Sequence, residues 1–144
     1  QTCALPIYVG LLTGILYGNN VRPVLNDMRS INLGSVYENA VAQELASHGY
    51  KLFYYDNRSK GEVDFLIDDH ITISVLPVEV KSGKDYTKHS ALNNFMKVPD
   101  YHISSALVLN DDREIRVVNN VTYAPVYNVM FLSAKEQDPE DLIF

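Results

Sequence analysis

Residues 61–81 read GEVDFLIDDHITISVLPVEVK and decide the fold, because they predict two neighbouring strands. Glu62–Ile67 is rich in residues that favour strands, Asp68-Asp69-His70 is typical of a turn, and Ile71–Lys81 is again extended. The apolar residues of this last strand change from odd to even positions on passing Leu76-Pro77. Because a strand cannot change its buried face without a slip in register, we expect a bulge or kink there.

Alternation along these strands predicts which charged side chains share a face. In residues 61–65, GEVDF, the valine and the phenylalanine are expected on one face and Asp64 on the other. In residues 78–81, VEVK, the two valines share a face, and Glu79 and Lys81 share the opposite one. If the strands pair, Asp64, Glu79 and Lys81 converge on one side of the sheet. Aspartate is disfavoured in strands, which favours a functional role for Asp64.

The clearest helix signal covers residues 34–49. Ser35 is a suitable N-cap, Glu38 three residues later completes the pattern of a capping box, and Gly49 supplies a C-terminal stop. Glu38 has two open roles: it could belong to the cap, or it could approach the carboxylates of the strands. Two or three carboxylates with one lysine suit Mg²⁺, because hard oxygen ligands hold the ion and leave positions for water and a phosphate oxygen.

The remaining segments complete a mixed α/β domain. Further predicted elements are a helix at Gly10–Tyr17, a strand at Lys51–Tyr55, a helix at Thr87–Lys97, strands at Ser104–Leu109 and Glu114–Val118, and a short apolar element at Val126–Leu132. The order of helix, strands, helix and strands predicts the α/β class.

Composition narrows the classes of protein. The chain has 144 residues, and its 47% hydrophobic and 21% charged residues are typical of one globular domain. A net charge of -6 excludes coating of nucleic acid or of an anionic membrane by bulk charge, but it permits a local basic groove. The single cysteine, Cys3, excludes a disulfide framework and a cysteine-rich zinc site. The longest apolar run, Ile7–Tyr17, is shorter than the roughly 20 residues of a spanning helix, so we expect a cytoplasmic protein.

The chain is expected to divide into four parts. Residues 1–7, QTCALPI, resemble a translated sequencing adapter and are left out of the fold; a genuine N-terminal strand is the alternative. Residues 8–33 are expected to be a helix and loop that remain from a longer upstream region. Residues 34–132 form the domain, and residues 133–144 form a polar tail.

Three short motifs carry a more specific resemblance. SVYEN at residues 35–39, GEVDF at 61–65 and VEVKSG at 78–83 resemble the PD-(D/E)XK nuclease superfamily. More narrowly, they resemble a nuclease-like C-terminal domain of unknown function that follows the ATPase domain in prokaryotic AAA-type ATPases. The resemblance covers most of residues 8–132. Val63-Asp64 stands where the superfamily's name has proline and aspartate.

The resemblance implies a restriction-endonuclease-like fold, with a mixed central sheet flanked by helices. It implies a Mg²⁺ or Mn²⁺ site whose metal ligands are Glu38, Asp64 and Glu79. It also implies catalytic roles for Asp64, Glu79 and Lys81, with the lysine positioning water during phosphodiester hydrolysis. The implied partners are DNA and an upstream ATPase domain.

Basic and aromatic residues flank the carboxylate segments. The side chains that could contact a nucleic-acid backbone are Arg58, Lys60, Lys84 and Lys88. Alternatively, these four basic residues simply belong to solvated loops. Tyr54 and Tyr55 could stack on bases, but we expect them to pack in the core and at the sheet edge. Residues 82–85, SGKD, lack the earlier glycine and the final Ser or Thr of a phosphate loop, so we expect no ATP site here.

Two further functions stay open from the sequence. The net acidity favours a catalytically inactive module that keeps the nuclease fold and docks DNA or another protein. The apolar helix within residues 8–17 would suit a structural dimerisation domain of the ATPase. Metal binding and DNA cleavage distinguish the active nuclease from the inactive module, and self-association identifies the dimerisation domain.

Overall fold

The computed structural model describes residues 9–17, 33–69, 74–83 and 85–134. The helices in those residues are α1 (Val9–Tyr17), α2 (Gly34–Ser47) and α3 (Ser90–Met96). The strands there are β1 (Phe53–Asn57), β2 (Gly61–Asp69), β3 (Ser74–Val80), β4 (Ala106–Asn110), β5 (Arg116–Val118) and β6 (Val121–Pro125). Short 3-10 helices lie at Pro99–Tyr101 and Val126–Phe131. The predicted mixed α/β class is confirmed.

The described strands form one six-stranded sheet in the order β1-β2-β3-β4-β6-β5. β3, β4 and β6 are parallel, whereas the pairs β1–β2, β2–β3 and β5–β6 are antiparallel. Parallel neighbours need crossover connections, and α3 lies in the one from β3 to β4. The carboxyl ends of β3, β4 and β6 therefore meet at the same edge of the sheet, which we call the upper edge.

Both faces of the sheet are covered. On the α2 face, α2 and the second 3-10 helix pack on the strands through Val41, Ala42, Leu45, Phe65, Ile67, Val78, Val80, Leu107, Leu109, Ala124 and Val129. On the α3 face, the buried residues are Val63, Leu92, Phe95, Ala106, Val108, Val121 and Tyr123. β4 is buried along its whole length, as expected for a parallel strand covered on both faces.

α2 begins differently from the prediction. Leu33 is the N-cap, its carbonyl accepts hydrogen bonds from the amides three and four residues later, and no side chain caps the helix. The capping box predicted for Ser35 and Glu38 is wrong, because Ser35 lies inside the first turn and not before it. The predicted stop at Gly49 is confirmed, since its φ of +85° lies in the left-handed region that favours glycine.

The irregularity predicted for β3 lies in β2 instead. β3 pairs with β2 in unbroken register, so the bulge predicted at Leu76-Pro77 is wrong. Between Val63 and Leu66, three residue steps of β2 match two of β1, which places a bulge beside Asp64. Apolar residues occur at both odd and even positions of β3 because this strand is covered on both faces.

The bulge reverses one prediction about faces and leaves another intact. Val63 packs on the α3 face and Phe65 on the α2 face, so the prediction that they share a face is wrong. Alternation fails there because of the extra residue in the bulge. Val78 and Val80 share the α2 face as predicted, which puts Glu79 on the α3 face.

Several boundaries also differ. Asp68 and Asp69 belong to β2, so the turn predicted there is wrong; pairing with β3 outweighs the low strand propensity of aspartate. β6 was not predicted, and β5 pairs with it and not with β4. The predictions for residues 1–7, for the loop at 18–32, for residues 70–73 and for most of the tail at 133–144 fall outside the described residues.

Gly61 provides a test of the packing between β2 and α3. Its φ is +92°, and an added Cβ would lie 2.7 Å from the Cβ of Ala91, so Gly61→Ala must strain the backbone and displace α3. We expect the free energy of unfolding to fall by about 1–3 kcal/mol in urea denaturation. Gly83→Ala is the matched control, because an added Cβ there meets nothing within 4 Å. Equal losses in the two variants would contradict the prediction.

Candidate functional site

The candidate site lies where β2 and β3 stop pairing. Their antiparallel ladder ends with Phe65 opposite Val78. One residue further, Oδ2 of Asp64 accepts a hydrogen bond of 2.7 Å from the amide of Val80. The next amide, that of Lys81, donates to a β4 carbonyl at 2.8 Å. Because N–H groups alternate in direction along a strand, the Val80 amide points toward β2, and a side chain satisfies it where the ladder has ended.

Glu79 is the buried acid of the site. Its residue is only 5% exposed. Oε1 lies 2.5 Å from Nζ of Lys81, and Oε2 is buried without a hydrogen-bond partner. A buried carboxylate oxygen without a donor costs free energy. Oε2 is therefore placed to accept a further donor or a cation.

Glu38 approaches this group from α2. Burial raises the pKa of Glu38, the charge of Lys81 lowers it, and the charges of Glu79 and Glu62 raise it further. Those mutual effects mean that the carboxyl group lies within electrostatic reach of both strands. The structure brings together the predicted site residues Glu38, Asp64, Glu79 and Lys81.

The balance of charge in the site is negative. Burial raises the pKa of Asp64 from 3.8 to about 7, the charge of Glu79 adds to this rise, and the Val80 amide opposes it. For Lys81, burial acts to lower the pKa, but the hydrogen bond and charge of Glu79 outweigh burial and raise it. Three carboxyl groups thus share one ammonium group in a partly buried setting. A bound proton or a bound cation would relieve the excess.

The donor set fits a divalent cation in its chemistry. The unpartnered Oε2 of Glu79 and the crowded carboxylates are oxygen donors of the kind that Mg²⁺ and Mn²⁺ prefer. Across the residues that the structure describes, no group of three or more His, Cys, Asp or Glu side chains has the geometry of a metal site. One oxygen of Glu79 contacts Lys81, and one of Asp64 accepts from Val80. The metal-ligand roles of Glu38, Asp64 and Glu79 stay predictions.

The chain matches the family model described as Domain of unknown function (DUF4143) over residues 33–129. The chain belongs to the DUF4143 family. The match begins at the N-cap of α2, ends in the second 3-10 helix, and contains the whole candidate site. DUF4143 domains are commonly found with AAA ATPases. A search of the curated proteins and a search of the solved structures each gave no match.

None of the helices described for this DUF4143 protein combines the length and the hydropathy that a bilayer-spanning segment needs.

Three of the four predicted nucleic-acid contacts of the DUF4143 domain lie within the described residues. Arg58 and Lys60 are exposed in the turn between β1 and β2, which approaches α3 closely. Lys88 precedes α3 and is exposed, and its Nζ lies 3.1 Å from a carboxylate oxygen of Asp85. Lys84 lies outside the described residues. Arg58 and Lys60 therefore lie in the turn directly before β2, and Lys88 lies two residues before α3.

The two tyrosines considered for base stacking differ in their surroundings. Tyr55 packs as predicted, with its ring centroid 4.8 Å from that of Phe95. Tyr54 is exposed on the edge strand β1. Tyr55 therefore contributes to the core on the α3 face of the DUF4143 domain.

A polar cluster at the far side of the sheet was not predicted. Arg116 of β5 lies opposite Tyr123 of β6. Nε2 of His89 lies 2.6 Å from the hydroxyl of Tyr123, and both residues are buried. The cluster was missed because β6 was missed. Its signal is present: residues 119–124, NNVTYA, place a turn dipeptide typical of hairpins before strand-forming residues.

The raised pKa of Asp64 predicts that the free energy of unfolding depends on pH in metal-free buffer. Its pKa is about 7 in the folded chain, against 3.8 as its ordinary value, so between these pH values the folded state holds a proton that the unfolded state releases. The stabilisation is fully present below about pH 4 and is lost as the pH rises through about 7, with a slope of up to about 1.4 kcal/mol per pH unit. Asp64→Asn keeps the acceptor for the Val80 amide and removes the titration.

The measurement is urea denaturation in EDTA at several pH values between 4 and 8. The free energy of unfolding of the wild type should fall relative to that of Asp64→Asn as the pH rises. Asp68→Asn is the matched control, because it alters an exposed carboxylate on the same strand. A constant difference between the wild type and Asp64→Asn across this range would refute the prediction.

Proposed function

We propose that this DUF4143 domain is a nuclease-like module that hydrolyses phosphodiester bonds of DNA with Mg²⁺ or Mn²⁺. The proposal assigns it to the PD-(D/E)XK superfamily, with a restriction-endonuclease-like fold. The observation that carries it is the state of Glu79: buried, with one oxygen on Lys81 and the other without a partner, beside Asp64. This pattern fits a cation and a positioned water better than it fits a stabilising ion pair, because excess buried negative charge destabilises a fold.

Each site residue has a distinct proposed role. Glu38, Asp64 and Glu79 would hold the cation, which when bound lowers the pKa of water and stabilises the charge that develops on the phosphate. Lys81 has three N–H donors, of which one reaches Oε1 of Glu79. The other donors can orient the attacking water or contact a phosphate oxygen. The hydrogen bond from Val80 holds the Asp64 carboxylate in place while this occurs.

An ATPase partner is part of the same proposal. DUF4143 domains are commonly found with AAA ATPases. A net charge of -6 opposes strong unaided binding to DNA. We propose that the ATPase domain in the same cytoplasmic protein supplies much of the DNA affinity.

A catalytically inactive docking module is the second candidate. The observation that favours it is that Lys81 and the Val80 amide already engage an oxygen each on Glu79 and Asp64. In that case the lysine compensates the acids, and the nuclease-like fold serves as a surface for DNA or for another protein. Metal binding and cleavage separate the two candidates.

DNA cleavage tests the leading candidate. With Mg²⁺ or Mn²⁺, the wild type should cut linear or supercoiled DNA, and EDTA should abolish cutting. Lys81→Ala and Glu79→Gln should each lower the rate about 10²–10³-fold, because the first removes a positive charge beside the reacting phosphate and the second weakens the hold on the cation. Asp68→Asn is the matched control, since it changes an exposed acid on the same strand as Asp64. Cleavage that persists in both site variants would refute the assignment of Glu79 and Lys81 to the active site.

Metal binding tests the role of the carboxylates without relying on turnover. Calorimetric titration with Mn²⁺ should detect a site in the wild type. Asp64→Asn and Glu79→Gln should weaken it by at least about 10-fold, because each replaces a charged oxygen donor by a neutral amide. Asp68→Asn should bind like the wild type. Absence of binding at millimolar Mn²⁺ in a folded wild type would favour the inactive docking module.

A further inference from the structure

We infer that Arg116 is a second DNA-binding point of this domain, which contacts a backbone phosphate at a distance from the carboxylates. The inference rests on the proposed function, because it names how the substrate is held. The ligand chemistry is the phosphodiester oxygen of DNA. Arg116 is not among the residues that the sequence motifs indicate.

The sheet register places Arg116 in line with the carboxylates. Glu79 lies beside Val108, Val108 beside Tyr123, and Tyr123 opposite Arg116. Residues that pair across neighbouring strands project from the same face, so this row runs along the α3 face. Asp64 continues the row at its other end, because the β2–β3 register would set it opposite Glu79.

The interior residues of the row, Val108 and Tyr123, are buried, so it is the separation of its two ends that matches a ligand passing along the upper edge of the sheet. From Glu79 to Arg116 the row crosses three strand spacings, about 14 Å at about 4.8 Å each. This equals about four base steps of B-form DNA at 3.4 Å each. Arg58 and Lys60 lie in the turn before β2, beyond the opposite end of the row. The carboxylates therefore lie between two cationic points near the upper edge of the sheet.

The Arg116 guanidinium is held in place by its neighbours. Nη2 donates to Oδ2 of Asp112 at 2.7 Å and also contacts the hydroxyl of Tyr86. The guanidinium carbon lies 5.7 Å from the centre of the Tyr86 ring, in a cation–π contact. The Tyr86 hydroxyl donates to the same oxygen of Asp112 at 2.8 Å. Oδ1 of the fully buried Asn110 accepts from the Asp112 amide at 2.7 Å, which anchors the group to the end of β4.

The anchored arginine keeps donors for a ligand. The contacts to Asp112 and Tyr86 use Nη2, while the side chain of Arg116 is 50% exposed. The planar guanidinium can present its remaining N–H groups to two oxygens of one phosphate. Because the neighbours already restrict its rotamers, ordering Arg116 on binding costs less entropy than ordering a free arginine.

DNA affinity as a function of salt tests this inference. The probe is a fluorescent DNA duplex of about 20 base pairs, and binding to the full chain is followed by anisotropy in EDTA so that no cleavage occurs. Arg116→Ala should weaken binding about 5- to 20-fold and reduce the slope of log K against log salt by about one. Arg116→Lys should keep the slope and lose part of the affinity, because lysine keeps the charge but not the planar fork.

Arg113→Ala is the matched control, because Arg113 is exposed in the loop that leads to β5 and is outside the row. It should bind like the wild type. A purely structural role of Arg116 would lower the melting temperature without changing the salt slope of the folded protein, and that result overturns the inference. Where Arg116→Ala fails to fold, Arg116→Lys and Tyr86→Phe decide: unchanged affinity in both also overturns it.

The outcomes also separate this inference from the proposed function. If the wild type binds DNA and Arg116→Ala binds equally well, the inference is wrong and the carboxylate site is unaffected. If the folded wild type shows no DNA binding at low salt, in EDTA or with Mg²⁺ present, the inference fails together with the proposal that DNA is the substrate.

Discussion

The hydrogen bond from the Val80 amide to the Asp64 carboxylate is the interaction on which the site depends. It forms where the β2–β3 ladder ends, so one side chain replaces a backbone rung and lets the strands separate. The bulge in β2 contributes, because it shifts the alternation so that Val63 turns to the α3 face ahead of Asp64. Without that bond, a buried amide would lack its acceptor, and Asp64 would have no fixed position beside Glu79.

The part of the site that could be predicted from sequence is the part set by local alternation. Glu79 and Lys81 alternate with Val78 and Val80, which pack on the α2 face, and a period of two assigns their common side without knowledge of the fold. Gly49 is a similar case, since a helix stop requires only a local left-handed residue. The α/β class could be predicted as well, because it follows from the order of helices and strands, and each of these is indicated by its local sequence.

The features that could not be predicted depend on tertiary pairing. The extra residue beside Asp64 is visible only once β1 and β2 are aligned, and the odd-to-even change in β3 mimicked a bulge because both of its faces are buried. Ser35 and Glu38 have the pattern of a capping box, but the N-cap is Leu33, two residues before Ser35. The row that ends at Arg116 could not be predicted, because β5 pairs with β6 and the sequence analysis did not predict β6.

The positions of the charged side chains explain the acidity of the chain better than its net charge does. Three carboxyl groups of the site share one lysine in partly buried surroundings. This excess of negative charge lowers the stability of the fold. Cations at the β1–β2 turn and at Arg116 lie on either side of them, and so do not neutralise the centre. A polyanion laid along this edge would meet attraction at its flanks and repulsion at the middle. A divalent cation at the middle would remove that repulsion, so metal binding and DNA binding should be positively coupled through charge.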